Sequence, residues 1–304
     1  MASGDWIALG AAFVAIVACV VAVITYRLQV RTQATSDEQQ LNELIEKIQD
    51  SLSNLGKLSS AISLESSTAS GVTLTSLRGQ ALEAKKLIGR ADIEPDWFQN
   101  MILGYAFTQV WDPKAAITYW NNAVSSTSGG NAHQAHVSSL EARANFYYSR
   151  GLKDDWQNAR KDFKNARDEL LKDPEGQGPD LAAEQVAQMF LRQSTFELRA
   201  EGETAAAALA ADAFLTANSI GAQWRKRHAL KFIGNLLLEF QQKEGFPEML
   251  RKVAAELSRR GARLEEFPDE TAQLLSLPAD GSLSLPPDDI LFASTDQHAG
   301  IDGE

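Results

Sequence analysis

One uncharged run near the N-terminus constrains the fold more than any other feature of this sequence. From Trp6 to Tyr26 the chain contains no charged residue, and an aromatic residue stands at each end. At about 1.5 Å of rise per residue, a helix over this run spans roughly 30 Å, the thickness of the hydrocarbon core of a bilayer. Aromatic residues favour the membrane interface. The sequence therefore predicts a transmembrane helix at 6–26, preceded by a short N-terminus at 1–5.

Two other interpretations of the run fit less well. A cleaved signal peptide normally carries Lys or Arg before its apolar stretch, and residues 1–5 contain neither. The residues Ile-Val-Ala-Cys at 16–19 resemble a lipoprotein signal, but the apolar run continues well past Cys19. Because Cys19 is the only cysteine, the sequence excludes an intramolecular disulfide and a Cys-based zinc site.

Basic residues decide the predicted orientation of the span. Arg27 and Arg31 follow the run, and no Lys or Arg precedes it. Cytoplasmic flanks carry the excess of basic residues, so we expect a single-pass membrane protein with its N-terminus outside and its C-terminal domain in the cytoplasm. Alanines at 11, 15, 18 and 22 form one stripe, which would let two spans pack as a homo-oligomer. The alternative is that alanine only fills the span.

Most of the net charge of −11 lies near the C-terminus, where ten Asp and Glu stand against one Arg over 263–304. This segment is rich in Pro, Ser, Gly and Asp, so we predict an acidic, disordered tail at 261–304. The charge pattern is not that of a nucleic-acid-binding protein. Within the tail, Ile290, Leu291 and Phe292 follow two acidic residues. They form either a linear motif that docks on a partner or on the chain's own groove, or an apolar scatter without a role.

A connecting amphipathic helix is predicted at 27–64. Its apolar positions recur three, four and seven residues apart, which resembles the seam of a coiled coil. These positions are Leu41, Ile45, Ile48, Leu52, Leu55 and Ile62. The seam either associates with another copy of the chain or packs against its own domain, and the sequence does not choose between the two.

Beyond the connecting helix the sequence predicts an all-α domain at 73–260. A polar break at 66–71 separates the two, and no later segment shows the sustained two-residue alternation of a strand. Asp112 is predicted to cap a helix that has Pro113 at its first position. Long helices with short turns favour antiparallel pairs. The other predicted helices cover 77–88, 97–110, 132–150, 155–172, 180–200, 203–218, 222–243 and 247–260.

A spacing of small and large apolar residues recurs within this domain. The first copy has Leu103-Gly104-x-x-Phe107 in one helix and Ala116-x-x-x-Trp120-x-x-Ala123 in the next. The second copy has Ala159, Phe163 and Ala166, and a fainter third copy has Ala210, Phe214 and Ala217. This pattern resembles the tetratricopeptide repeat, in which small residues sit where paired helices cross and large ones fill the gaps. The chain departs from that family at Asn100, where a Trp is expected, and in its longer spacing between copies.

The resemblance implies a solenoid whose concave groove binds a peptide or helix of another protein. The positions that would face the groove are Met101, Tyr105, Gln109, Glu141, Asn145, Tyr148, Arg192, Phe196 and Arg199. Only Asn145 fits the family's clamp for a C-terminal carboxylate, so we do not predict that clamp. For Tyr105, Tyr148 and Phe196 the alternative is ordinary packing between helices.

No constellation of residues points to catalysis. His133-x-x-His136 with Glu141 places potential metal ligands near each other, but the zincin pattern with its intervening Glu is missing, so a metal-dependent enzyme is only a remote alternative. There is no phosphate-cradling loop and no nucleophile elbow. The basic run at 224–228 would meet anionic lipid or the acidic tail, or would be a solvated helix face. We expect no enzyme activity, no cofactor and no metal.

The sequence thus predicts a membrane-anchored scaffold or accessory subunit that presents a repeat domain to a protein or peptide partner. The alternative is an oligomerising structural membrane protein, in which the stalk at 27–64 associates and the helical body is a passive spacer. The residues do not identify the partner.

Overall fold

The structure is a computed structural model that describes residues 32–57, 64–128, 133–172, 178–243 and 248–276. These residues form helices joined by turns and contain no strand, which confirms the predicted all-α fold. The predicted span at 6–26 and the motif at 290–292 lie outside the described residues. Within the described part of the chain, no helix has both the length and the apolar character that crossing a bilayer requires.

The helices follow one another along the chain with short connections. Helix α1 is described over 32–57, and a short 3₁₀ turn occupies Leu264–Glu266. The others are α2 (Leu64–Ala91), α3 (Trp97–Gln109), α4 (Pro113–Thr127), α5 (His133–Ser149), α6 (Lys153–Leu170), α7 (Pro179–Ala200), α8 (Glu203–Asn218), α9 (Gln223–Lys243), α10 (Met249–Arg259) and α11 (Asp269–Leu275).

The predicted polar break at 66–71 is wrong, because α2 runs through it without interruption. Two threonine hydroxyls in this helix donate to carbonyls one turn earlier: Thr73 to Ala69 and Thr75 to Gly71, both at 2.9 Å. Such bonds satisfy the hydroxyl within the helix itself. A Ser- and Thr-rich stretch can therefore remain helical, and here it does.

The predicted cap at the start of α4 is confirmed. The Asp112 carboxylate accepts the N–H of Ala115 at 3.0 Å, and Pro113 stands at the first helical position. Helix α3 starts with a capping box, in which Asp96 and Gln99 each accept the other's backbone N–H. These side chains satisfy N–H groups that the first turn of a helix leaves without partners.

The chain divides into two compact units, where the sequence predicted one helical domain at 73–260. Of the described residues, those within 32–150 and 157–166 form the first unit, and those within 151–156 and 167–276 form the second. Helix α6 contributes residues to both.

In the first unit, α1 packs antiparallel against α2. Asp37 pairs with Arg90 at 3.1 Å near one end, and the Ser51 hydroxyl donates to Gln80 at 3.0 Å towards the other. The seam residues Leu41, Ile45 and Ile48 are buried in a core shared with α2 and α3, together with Leu77, Ala81, Ala84, Leu87, Leu103 and Phe107. Of the two interpretations of the seam, packing against its own domain is the one observed for these residues.

The repeated small and large residues are all buried, as their spacing predicted. Trp120 in α4 lies against Gly104 in α3, where a Cβ would stand 2.7 Å from the indole. Ala116 and Ala123 flank that Trp on the same buried face of α4. The later copies are likewise fully buried: Ala159, Phe163, Ala166, Ala210, Phe214 and Ala217. The body is therefore made of closely packed helix pairs and is compatible with a helical repeat fold.

The second unit is built around the hairpin of α7 and α8, against which α9 and α10 pack. Ordered structure here continues beyond residue 261, into the segment predicted as disordered tail. Phe267 is buried and lies edge-on to Phe214, with the ring centroids 6.2 Å apart. In α11, Thr271 and Leu275 are buried. The composition of this segment favours disorder, which is why the sequence predicted a tail from residue 261. The segment is ordered because these side chains are buried in the second unit.

Candidate functional site

Helices α3 and α5 in the first unit carry six of the nine predicted groove residues. Among these, Tyr105 is 40% exposed. The Tyr105 ring lies edge-on to the buried Trp120, with ring centroids 4.7 Å apart and planes at 86°. The indole N–H of Trp120 donates to the Thr108 hydroxyl at 3.3 Å, which fixes the ring beneath Tyr105. A partly exposed aromatic side chain thus rests on a rigid base.

Glu141 on α5 acts electrostatically on Tyr105. Burial and the negative charge of Glu141 both raise the pKa of the Tyr105 phenol above its ordinary value of 10.0. The phenol therefore stays protonated at neutral pH and remains a hydrogen-bond donor. The Tyr105 hydroxyl, a donor, and the Glu141 carboxylate, an acceptor, thus lie on neighbouring helices. Polar groups of this kind orient a bound ligand.

Arg143 holds α5 in place. Its guanidinium donates two hydrogen bonds to Asp162 of α6, at 2.7 and 2.8 Å, and one to Asn121 of α4, at 2.9 Å. Burial disfavours the charge on Arg143, but the hydrogen bonds and charge of Asp162 outweigh it and raise the pKa of the guanidinium. A bidentate pair of this kind fixes geometry as well as charge. These hydrogen bonds tie α5, the helix that carries Glu141, to α4 and α6.

The other predicted groove residues of α3 and α5 differ in exposure. Gln109 is exposed, and Met101 is half-buried one turn before Tyr105. Asn145 is half-buried one turn after Glu141, and its Oδ1 is buried without a hydrogen-bond partner. Tyr148 is buried with its ring 6.1 Å from that of Phe163, so it belongs to the core of the unit.

The remaining three predicted groove residues lie on α7 in the second unit. Arg192 and Arg199 are exposed, and Phe196 is half-buried between them. Nearby on the same unit, the Arg167 guanidinium stands 4.1 Å from the centroid of the Phe190 ring and donates to Gln193 at 2.6 Å.

The histidine pair forms no metal centre in the described residues. Nδ1 of His136 in α5 lies 3.0 Å from the hydroxyl of Thr127 in α4. No group of three or more His, Cys, Asp or Glu side chains converges as metal ligands anywhere in the described ranges.

The basic run at the start of α9 is not one solvated face. Arg225 turns inward and donates to the buried Glu184 of α7 at 2.6 Å, and His228 Nδ1 lies 3.4 Å from the same carboxylate. Trp224 is 68% exposed, and Arg227 is exposed with it.

Two residues important to the first unit were missed at the sequence level. Arg143 shows no signal of its own, because its partners are 19 and 22 positions away along the chain. Trp111 does show one: Gly is usual just after the end of a helix, and here a Trp stands in the two-residue gap between α3 and the Asp112 cap.

The tetratricopeptide resemblance rests on the residues of this chain alone. Comparisons with protein-family models, with curated proteins and with solved structures return no match.

Proposed function

We propose that this protein is a membrane-anchored scaffold or accessory subunit that holds a peptide or helix of another protein on the face of α3 and α5. One observation carries the proposal: Tyr105 is 40% exposed although it rests on a buried Trp and faces a carboxylate. Aromatic side chains on a rigid base, with polar groups beside them, are typical of binding hot spots.

The chemistry of the face suits a peptide ligand. The protonated Tyr105 hydroxyl donates to a carbonyl, and Glu141 accepts from an amide N–H or a basic side chain. Exposed Gln109 offers both an amide N–H₂ and a carbonyl. The ordered hydrogen bonds of Arg143 keep these groups in position before the partner arrives, which lowers the entropy lost on binding.

The membrane anchor and the tetratricopeptide-like solenoid are parts of the same proposal. The uncharged run at 6–26 and its flanking arginines support a cytoplasmic body tethered to the bilayer. The buried triplets and the Gly104–Trp120 contact support a solenoid of helix pairs. The alternative of a stalk that oligomerises through 41–62 loses support, since Leu41, Ile45 and Ile48 are already covered within one chain.

Site-specific photocrosslinking in cells tests the proposal. A benzophenone amino acid replaces Tyr105 in the full-length chain, and the matched control carries it at Leu171, which is 61% exposed on the other unit. We expect a discrete crosslinked protein from position 105 and none from position 171. The crosslink should disappear when Glu141 is changed to Arg. Equal crosslinking from both positions, or none from position 105, would contradict the proposal.

A further inference from the structure

The turn between α3 and α4 places a tryptophan where the backbone favours glycine. Trp111 has a φ of +57°, in the left-handed region that bulky side chains rarely adopt. Its N–H donates to the Thr108 carbonyl at 3.3 Å, and the N–H of Asp112 donates to the Phe107 carbonyl at 3.0 Å. These two bonds define a Schellman motif with Trp111 at the position that is usually Gly.

The same motif at the end of α10 uses glycine. There the N–H of Gly261 donates to Ser258 at 2.9 Å and that of Ala262 to Leu257 at 3.1 Å, with a φ of +82° at Gly261. The chain thus contains a direct internal comparison for the turn. Glycine meets the backbone requirement without strain at α10, whereas Trp111 meets it with strain at α3.

Packing does not compensate for this strain. Trp111 is 83% exposed, so its indole gains little from burial within the chain. A large apolar side chain held in a strained backbone and left in solvent lowers stability without an internal benefit. Features of this kind concentrate at functional sites, where the benefit comes from a ligand.

Two clefts lie on either side of the Trp111 indole, and both belong to the first unit. One has a volume of about 290 Å³ and is lined by Arg78, Leu82, Pro113 and Lys114. The other has a volume of about 180 Å³ and is lined by Gln109, Phe146, Ser149 and Arg150. Leu82, which is 39% exposed, continues the apolar surface on α2. Each cleft has room for one apolar side chain of a ligand.

The charges around the clefts are mainly positive. Arg78, Lys114 and Arg150 line them, and Lys85 reaches over the Phe107 ring at 5.5 Å. Among the described residues that line the clefts only Asp112 is acidic, and its carboxylate is already bonded to the N–H of Ala115. A ligand with carboxylates next to its apolar side chains complements this surface.

We propose that Trp111 and its two clefts form a docking site for a short acidic segment of a partner protein. Two large apolar side chains of that segment enter the clefts on either side of the indole, and its carboxylates face Arg78, Lys85 and Lys114. The site shares Gln109 with the Tyr105 face, but neither Tyr105 nor Glu141 lines its clefts, so each proposal can fail without the other.

Binding of a labelled peptide to the full-length chain in zwitterionic nanodiscs tests the proposal. The probe is Asp-Asp-Ile-Leu-Phe, the chemistry found at 288–292, and the control peptide has Lys-Lys in place of Asp-Asp. Fluorescence anisotropy should show saturable binding of the acidic probe to the protein, and this binding should weaken at high salt. The acidic probe should not bind empty nanodiscs, and the basic peptide should not bind the protein. Equal binding of the two peptides would overturn the proposal.

The Trp111→Gly variant separates a binding role from a structural one. We expect it to weaken probe binding by about tenfold or more. We also expect it to raise the midpoint of thermal unfolding by about 2–4 °C, because the strain is relieved. Asn also tolerates a positive φ, so Trp111→Asn should show the same weaker binding and higher midpoint as Trp111→Gly. Trp224→Ala, which removes another exposed Trp, should bind the probe as the unchanged chain does. Unchanged binding in Trp111→Gly, or a lowered midpoint, would overturn the proposal.

The source of the segment is decided by changing Ile290, Leu291 and Phe292 to Ser in the full-length chain. If a partner supplies the segment, the added probe binds this variant and the unchanged chain equally. A tenfold gain of affinity in the variant would show that the chain's own tail fills the site, and would overturn the assignment to a partner.

Discussion

At the scale of single residues, the size of a side chain at a helix crossing decides how closely two helices approach. Gly104 lets the Trp120 ring come within 2.7 Å of where a Cβ would stand, and Trp120 itself is 1% exposed. A Cβ at position 104 would push the buried ring or the α3 backbone away, so the close approach of α3 and α4 depends on this glycine. Tyr105 packs edge-on against the same Trp120 ring, so its position also depends on this contact.

Two glycine substitutions with opposite expected effects on the free energy of unfolding test this contact. Gly104→Ala gains about 1 kcal/mol of helix propensity but suffers about 1–3 kcal/mol of overpacking or more against Trp120, so we expect net destabilisation. Gly79→Ala in α2 meets nothing within 4 Å, so it should stabilise by about 0.5–1 kcal/mol. Chemical denaturation measures both. Stabilisation by Gly104→Ala would contradict the close crossing.

At the scale of elements, the second unit links α7 to the start of α9 through one carboxylate. The N–H of Gly221 donates to Asp180 Oδ1 at 2.8 Å, and that of Ala222 donates to Oδ2 at 2.7 Å. These two hydrogen bonds hold the pKa of Asp180 below its ordinary value of 3.8. Because Asp180 comes from a helix 41 positions earlier, this is a cap that tertiary structure supplies.

The pH dependence of stability tests this cap. A carboxyl whose pKa is depressed by folding stabilises the fold above its unfolded value, and the stabilisation is lost as pH falls through the folded pKa. Asp180→Ala should therefore unfold at a lower temperature than the parent at pH 7, and the difference should narrow below about pH 3.8.

Asp180→Asn is the matched control, because its carbonyl still accepts one bond but carries no charge. At pH 7 we expect Asp180→Asn to lose less thermal stability than Asp180→Ala does. The stability that this variant keeps through its amide should depend little on pH. A constant difference between parent and Asp180→Ala across pH would show that the carboxylate does not act through its charge.

At the scale of the whole molecule, the proposed anchor and orientation place the proposed binding face of α3 and α5 in the cytoplasm. The chain offers a clean test, since Cys19 is its only cysteine. In a Cys19→Ala background, we expect a membrane-impermeant maleimide to label Ser3→Cys in intact cells and Leu171→Cys only after lysis. Labelling of Leu171→Cys in intact cells would reverse the proposed orientation. Release of the protein by alkaline carbonate would contradict the anchor.

Periodicity, caps and small–large spacing were enough to predict the all-α fold, the start of α4 and the burial of the three triplets. These features are local, because a helix repeats its faces every 3.6 residues and its first turn needs a cap. Other outcomes depended on partners distant in sequence. The α1 seam packed on α2, and burial of Phe267 and Leu275 ordered a segment with a disordered composition.

The candidate sites divide in the same way. Tyr105, Glu141 and Asn145 were assigned to one groove by the tetratricopeptide resemblance. The ring of Trp120 beneath Tyr105 and the hydrogen bonds from Arg143 to Asp162 came from the fold. Only the tertiary structure showed that Trp111 is strained, exposed and flanked by two clefts. Sequence determines which faces are apolar, because that property is periodic along the chain. Which face meets which neighbour depends on close packing in three dimensions.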